Sequence, residues 1–289
     1  MTFKRNAKTL RPVSLIAATL LLGWASLSQA HGRYVVPSHT LVSGDKPQSI
    51  SLTASISNDM FHPDKPLGNE AGGKVNSFLQ SLFETLNSGI VQPDGSIQPM
   101  QWQAYQRFSA SDLTLKQSGT YRVQLVQPET HMMTFKNAKG ERDRRFGKEA
   151  QLPDGATSIT HRTIASNVVV YISHNEISDV PTTGKGLELA GDTHPNDLFA
   201  GEEASFAITF NGKPLTSAAK LHLVKGGTRY RNQRNDVELQ TSDTGEFTLL
   251  LKEPGMYWLE VEYSRKGGHN SGVDVHHNTL YLTLEVFPE

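Results

Sequence analysis

The stretch SISLTASIS, residues 49–57, alternates apolar and polar side chains with a period of two. Ile50, Leu52, Ala54 and Ile56 therefore fall on one face of an extended chain. This pattern is typical of a β-strand that buries one side against a core. The segment predicts a strand, and the rest of the chain shows whether the fold is built from such strands.

The same alternation recurs along most of the sequence. In residues 120–127, for example, Arg122 and Gln124 alternate with apolar residues and are predicted on the face opposite to them. Further alternating segments are residues 206–210, 220–225, 246–252 and 279–287. Clusters of Gly, Pro, Asn and Asp separate them, as in β-sandwiches. We therefore predict a mainly β protein with two tandem immunoglobulin-like β-sandwich domains.

An internal repeat supports two related domains. LKQSGTY (115–121) matches LKEPGMY (251–257), and the tyrosine that closes each copy is predicted to place its ring in a core and its hydroxyl near a turn. We predict an N-terminal domain over residues 31–180 and a C-terminal domain over residues 181–289. The boundary falls in PTTGKG, residues 181–186.

One segment departs from the strand pattern. In KVNSFLQSLFETLN, residues 74–87, apolar residues follow helical spacing and Gly89 comes just after them. We predict a helix inserted in the first domain and packed on a sheet. A helix that binds a partner is the alternative. The apolar positions are Val75, Phe78, Leu79, Leu82, Phe83 and Leu86.

Residues 1–30 have the three-part layout of a secretory signal peptide. A basic start precedes the apolar run of residues 13–25, and Ser28-Gln29-Ala30 ends the segment in an A-x-A-like cleavage site. The apolar run is shorter than the roughly 20 residues that span a bilayer. We therefore expect cleavage after Ala30 and export to a bacterial periplasm, without a membrane anchor.

The composition excludes several classes of partner. Cleavage would remove four of the 28 Lys and Arg residues and none of the 29 Asp and Glu residues, so the mature net charge would be −5. This acidic excess argues against nucleic acid and anionic membranes as partners. The chain has no cysteine, so neither disulfides nor a lipidated cysteine are available.

The predicted cleavage would make His31 the first residue of the mature protein. Its free α-amine and its imidazole Nδ1 can then close a compact chelate ring on one metal ion, and imidazole suits copper, nickel and zinc. Among the ten other histidines, we expect His39, His62 and His194 to supply further ligands. His39 requires a bend, because on one strand with His31 it would lie about 26 Å away.

Motifs for hydrolysis are absent from the sequence. There is no G-x-S-x-G elbow, no H-E-x-x-H motif and no glycine-rich phosphate loop. We therefore assign no catalytic residue and no organic cofactor. The basic loop GGTRYRNQR, residues 226–234, could hold a carboxylate through Arg229 or Arg231.

Several motifs together resemble a known family. THPNDLFAGE (193–202), SNDMFHPDKP (57–66), PGMYWLE (254–260) and SGTYRVQL (118–125) are similar to exported proteins built on a domain of unknown function, whose members are described as periplasmic components of cobalt or nickel transport systems. The resemblance spans nearly all of the mature chain. It implies a sandwich-rich periplasmic protein that handles a transition metal or its chelate.

A second resemblance is confined to the predicted mature start. HGRYVVPS, residues 31–38, is similar to the opening of secreted copper-dependent polysaccharide monooxygenases. In that family the amino-terminal histidine and a second histidine hold copper. Beyond these residues the chain does not follow that family's pattern.

We therefore expect a non-catalytic periplasmic protein that binds nickel, cobalt or copper and serves metal uptake, together with a membrane transport component. A copper-dependent oxidative enzyme is one alternative. A sandwich protein that binds another protein through an exposed edge strand is the other.

Overall fold

The structure is a computed structural model that describes residues 32–67, 85–179 and 182–289. Over these ranges the chain forms β-strands and one short 3-10 turn, Thr228–Tyr230. In chain order the strands are β1 (Gly32–Pro37), β2 (Leu41–Val42), β3 (Gln48–Ser57), β4 (Lys65–Pro66), β5 (Asn87–Val91), β6 (Ile97–Pro99), β7 (Gln103–Ala104), β8 (Ser109–Leu115), β9 (Gly119–Lys136), β10 (Arg142–Phe146), β11 (Thr157–His174), β12 (Leu187–Ala190), β13 (Glu203–Phe210), β14 (Lys213–Pro214), β15 (Lys220–Lys225), β16 (Val237–Gln240), β17 (Glu246–Leu250), β18 (Gly255–Lys266) and β19 (Val275–Val286).

The strands form three sheets. The central sheet has ten strands in the order β16-β15-β18-β19-β11-β9-β5-β6, with β10 paired to β9 and β2 paired to β11. A five-stranded sheet has the order β1-β3-β8-β7, with β4 paired to β3. A four-stranded sheet consists of β12-β13-β14, with β17 paired to β13.

Alternate residues of β11 enter two different hydrophobic cores. Val168 and Val170 belong to a core shared with the five-stranded sheet, whereas Val169 and Tyr171 belong to a core shared with the four-stranded sheet. Successive side chains of a strand point to opposite faces. The central sheet is therefore the middle layer of three, with one smaller sheet packed on each face.

The predicted β-sandwich class is confirmed, and the alternating segments form strands. Ile50, Leu52, Ala54 and Ile56 are all buried on β3. The central sheet contains strands from both sides of the predicted domain boundary and joins them into one compact unit. Residues 180 and 181 lie outside the described residues, so the division into two domains stays a prediction.

Most of the predicted helix, residues 74–84, also lies outside the described residues. Its predicted end is wrong, because Asn87 begins β5 and Gly89 lies inside that strand. Across the chain segments that the structure covers, no helix has the length and apolar character needed to cross a membrane.

The two repeated tyrosines are placed as predicted. Tyr121 and Tyr257 are buried, and their hydroxyls donate to the carbonyls of Gln117 at 3.0 Å and Glu253 at 2.8 Å. Each bond reaches four residues back along the chain and holds the preceding turn against the core. This arrangement matches the tyrosine corner of immunoglobulin-like sandwiches.

An ion pair is buried between the central and the four-stranded sheets. A nitrogen of the Arg122 guanidinium lies 2.9 Å from a carboxylate oxygen of Glu188, and both side chains are almost fully buried. The carboxylate also accepts hydrogen bonds from the Thr183 and Gly184 backbone N–H groups. Within the described residues, the other two guanidinium nitrogens of Arg122 have no hydrogen-bond partner. Its charge therefore depends on Glu188.

Glu188→Gln should lower the free energy of unfolding by about 3–5 kcal/mol, because it leaves a buried guanidinium without an opposite charge. The double variant R122M/E188Q should lose less of its free energy of unfolding than Glu188→Gln, since it removes both charges. Urea denaturation measures both effects.

Asp143→Asn is the matched control at an exposed ion pair, where Arg145 lies 3.0 Å from Asp143. This control should cost less than about 1 kcal/mol. An equal cost for the two single variants would contradict the role given to the buried pair.

Candidate functional site

The chain enters β1 at a closely packed position. Gly32 pairs with Ser57, and a Cβ atom at Gly32 would lie 2.6 Å from Met60 Cε and 2.8 Å from Trp258 Cζ2. The indole of Trp258 also donates to the Arg33 carbonyl at 2.9 Å. The start of β1 is thus held against the segment that follows β3, and only a glycine fits there without displacing its neighbours.

This segment, residues 58–62, is called the entry loop below. It turns sharply, because the His62 backbone N–H donates to the Asp59 carbonyl at 3.0 Å and Phe61 adopts a positive φ of 65°. Met60 is fully buried, and the Phe61 ring contacts Tyr34 edge-on at 5.3 Å. The entry loop therefore packs closely beside the start of β1.

Asp59 fixes the entry loop to the turn of residues 226–230. The Asp59 carboxylate accepts hydrogen bonds from the Thr228 hydroxyl and from Arg229 Nε, the latter at 3.1 Å. Partial burial raises the pKa of Asp59, but these hydrogen bonds lower it by more, so the pKa lies below its ordinary value. Arg229 does hold a carboxylate, as its basic loop suggested, but the carboxylate belongs to this chain.

His62 lies at the end of the entry loop and is partly buried. Its imidazole contacts the Tyr230 ring edge-on, with ring centroids 5.8 Å apart. His31 itself lies outside the described residues. Of the three other predicted ligands, His62 is the one that the fold places beside the start of β1.

His39 and His194 lie at the other end of β1. The exposed His39 lies between Ser38 and Thr40, just after β1. The Ser38 N–H donates to the Ser51 carbonyl, and the Thr40 carbonyl accepts a hydrogen bond from the Ser173 N–H. Asn196, two residues after His194, contacts the Ser173 hydroxyl at 2.9 Å. β1 spans six residues, or about 20 Å at 3.3 Å per residue. His39 and His194 are thus separated from the entry loop by the length of this strand.

His194 lines an open cavity of about 300 Å³ together with Asp192, Asp197, Glu202 and Glu203. Burial lowers the pKa of the His194 imidazole. The surrounding carboxylates do not converge on it. Over residues 32–67, 85–179 and 182–289, no three His, Asp or Glu side chains are arranged to hold one metal ion.

Other histidines are bound to neighbours on the central sheet. His222 Nε2 lies 2.8 Å from Asp236, and its Nδ1 lies 3.7 Å from the buried Glu260. His276 Nδ1 lies 2.7 Å from the Thr163 hydroxyl, whereas His277 Nδ1 lies 2.9 Å from the Ser264 hydroxyl. These two side chains point to opposite faces, as their adjacent positions on one strand predict.

The environment of His222 makes it titrate above the ordinary range. Glu260 has the largest effect in raising the pKa of His222, desolvation opposes it, and Asp236 raises the pKa further. From the sequence, His222 lies in the alternating segment of residues 220–225, which shows no partner for it. The registers His222↔Glu260 and His222↔Glu238 show that both neighbouring strands place acids opposite it. That pattern is visible only once the strand pairing is known.

Gly32→Ala should destabilise the protein by about 1–3 kcal/mol, because the added methyl group overlaps Met60 and Trp258. Gly268→Ala is the control, since a Cβ there meets no atom within 4 Å. Denaturation by urea compares the two. Equal stability of the two variants would show that β1 is not seated as described.

His222 should stabilise the fold at low pH. Its pKa is raised in the folded state, so its contribution is fully present below the unfolded value of about 6.5 and disappears as pH rises through the folded value. A double-mutant cycle with His222→Gln and Glu260→Gln should give a stabilising coupling free energy between the two side chains at about pH 5.5 and little coupling free energy at about pH 9. Equal coupling at both pH values would contradict protonation of His222 as the cause.

Comparisons with known proteins add one firm result. A family model described as a domain of unknown function, DUF4198, matches residues 28–265. Comparison with curated protein sequences finds no match.

Several solved structures show weak similarity. A DUF4785 family protein from Legionella pneumophila is 11% identical, with a TM-score of 0.23 over 79% of this chain, and the chain spans only 50% of that protein. The adhesin InvE of Yersinia pseudotuberculosis is 10% identical, with a TM-score of 0.20 over 86% of this chain and 58% of its own. The two tandem V-type regions of VCBP3, a chitin binding protein, are 11% identical, with a TM-score of 0.19 over 86% of this chain and 98% of theirs.

TM-scores this low carry no conclusion about this protein. The family model, in contrast, covers well over half of the sequence, including β1, the entry loop and most of the central sheet. The chain belongs to the DUF4198 family, which is defined by a domain of unknown function.

Proposed function

We propose that this protein binds a transition metal ion, nickel, cobalt or copper, in the periplasm and serves metal uptake without catalysing a reaction. The metal is held by the α-amine and Nδ1 of His31 after signal cleavage, and His62 completes the site. The resemblance to periplasmic components of cobalt or nickel transport systems supports this assignment, with a membrane transport component as the partner.

The observation that carries the proposal is the seating of Gly32. The residue directly after His31 pairs with Ser57 and packs on Met60, so the chain emerges beside the loop that ends in His62. A bidentate amino-terminal histidine needs only one or two further ligands, and imidazole nitrogen suits all three metals. Asp59 is already bound to Thr228 and Arg229, and it holds the entry loop rather than the ion.

Of His39, His62 and His194, only His62 takes part in the proposed site. His39 and His194 lie a strand length away from the entry loop, so they do not enter this site. The absence of a preassembled ligand cluster among the described residues agrees with a site that needs His31. Metal binding should therefore depend on the exact start of the mature chain.

Calorimetric titration of metal-free protein that starts at His31 should show micromolar or tighter binding of copper(II), nickel(II) or cobalt(II). One extra residue ahead of His31 should weaken binding at least about 100-fold, because it converts the chelating amine into an amide. His62→Ala should weaken it about tenfold or more.

His39→Ala and His194→Ala are the matched controls and should leave the affinity within about twofold. Mass spectrometry of the exported protein should find His31 as its first residue. Equal affinity of the extended and the native chains, or no binding of any of the three ions, would overturn the proposal.

A further inference from the structure

A second site lies on the opposite side of the fold from the entry loop. A cavity of about 510 Å³, called the amide cavity below, opens on the face of the central sheet that packs against the four-stranded sheet. Gln127, Asn167 and Asn278 contribute to its lining from β9, β11 and β19. Lys185, Phe210 and Arg265 also line it. Its size lies within the range of small-molecule sites, about 300–1,000 Å³.

The lining of the amide cavity contains unpaired polar atoms. Gln127 Oε1, Asn167 Oδ1, Asn278 Nδ2 and Arg265 Nε are all buried and have no hydrogen-bond partner within the described part of the chain. The three amide residues are more than nine-tenths buried. Buried polar groups in native proteins are nearly always paired. Three of these atoms, on Asn167, Asn278 and Arg265, belong to side chains on the face of the sheet that lines the cavity, and they point to a polar ligand with both donors and acceptors.

Arg265 provides the positive end of the amide cavity. The central carbon of its guanidinium lies over the Phe210 ring, 4.3 Å from the centroid. Arg265 forms no ion pair with any acid in the described ranges, and Lys185 adds a second positive charge at the rim. A guanidinium that lies over an aromatic ring keeps N–H groups available for a bidentate bond to a carboxylate.

The remaining lining favours hydroxyl groups over an ammonium group. Among the described lining residues, Glu129 is the only acid, and its carboxylate lies 3.4 Å from His276 Nδ1. A ligand ammonium would therefore lack a free carboxylate partner. The Gln127 amide donates to Thr85 Oγ1 at 2.6 Å and lies on the other face of the sheet, with Leu125 of the same strand. Asn167 presents an unpaired acceptor and Asn278 an unpaired donor, which matches the dual hydrogen bonding of a hydroxyl.

We propose that the amide cavity binds a sugar acid. The carboxylate is bound by Arg265 with support from Lys185, and the hydroxyls bond to the side-chain amides of Asn167 and Asn278. This site is separate from the metal site proposed above, because it shares no residue with the entry loop.

Calorimetric titration of metal-free protein with D-gluconate and D-glucuronate tests this proposal. Their uncharged counterparts sorbitol and glucose differ from them by having an alcohol in place of the carboxylate. At least one acid should bind at least about tenfold tighter than its counterpart. Arg265→Gln should weaken this binding at least about tenfold, and Lys185→Gln, at the exposed rim, should weaken it about threefold.

Arg144→Gln is the matched control, because Arg144 lies over the Phe146 ring at 5.7 Å, outside the cavity lining. It should leave the affinity unchanged, and circular dichroism confirms that each variant is folded. If neither acid binds tighter than its counterpart, the proposal is wrong. It is also wrong if the folded Arg265 and Lys185 variants bind as well as the Arg144 variant. Metal-free conditions keep this result independent of the metal site.

Discussion

The architecture depends on one constraint, the alternation of side chains along β11. Because Val168 and Val170 serve one core while Val169 and Tyr171 serve the other, a single strand has to satisfy two interfaces at once. A shift of its register by one residue would exchange the two sets of side chains. Arg122 lies on a sheet that is covered on both faces. Its buried charge therefore requires an opposite charge in the facing layer, which Glu188 supplies.

Local patterns in the sequence predicted the strands well but not their assembly. The strand around Ile50 and Leu52 was found where its alternation predicted it, and so were the two tyrosines that follow a glycine. Both features depend on burial and on residues nearby in the sequence. The shared central sheet depends on pairing between strands far apart in the sequence. Arg122 therefore looked like a residue on a polar face, because nothing near it indicates that this face is also covered.

For the candidate metal site, the sequence identified suitable histidines but did not show which of them lie near the start of β1. His62 was among the ligands expected from the sequence, and pairing of Gly32 with Ser57 brings the entry loop beside the start of β1. His39 and His194 have equally suitable side chains, but strand direction carries them to the other end of β1. The amide cavity left no local signal, because Gln127, Asn167 and Asn278 lie on three strands far apart in the chain.

The parallel pairing of β11 with β19 has a consequence for how the polypeptide matures. Thr163 bonds to His276, a partner 113 residues further along the chain, so β19 is made long after β11. During synthesis or export, the stretch of this edge from Arg162 to Val170 therefore has no neighbour until β19 arrives. Unpaired edges invite association with other chains, and such distant contacts slow folding. The molecule completes its central layer only when β19 is available, so a chain that stops before β19 would expose this edge.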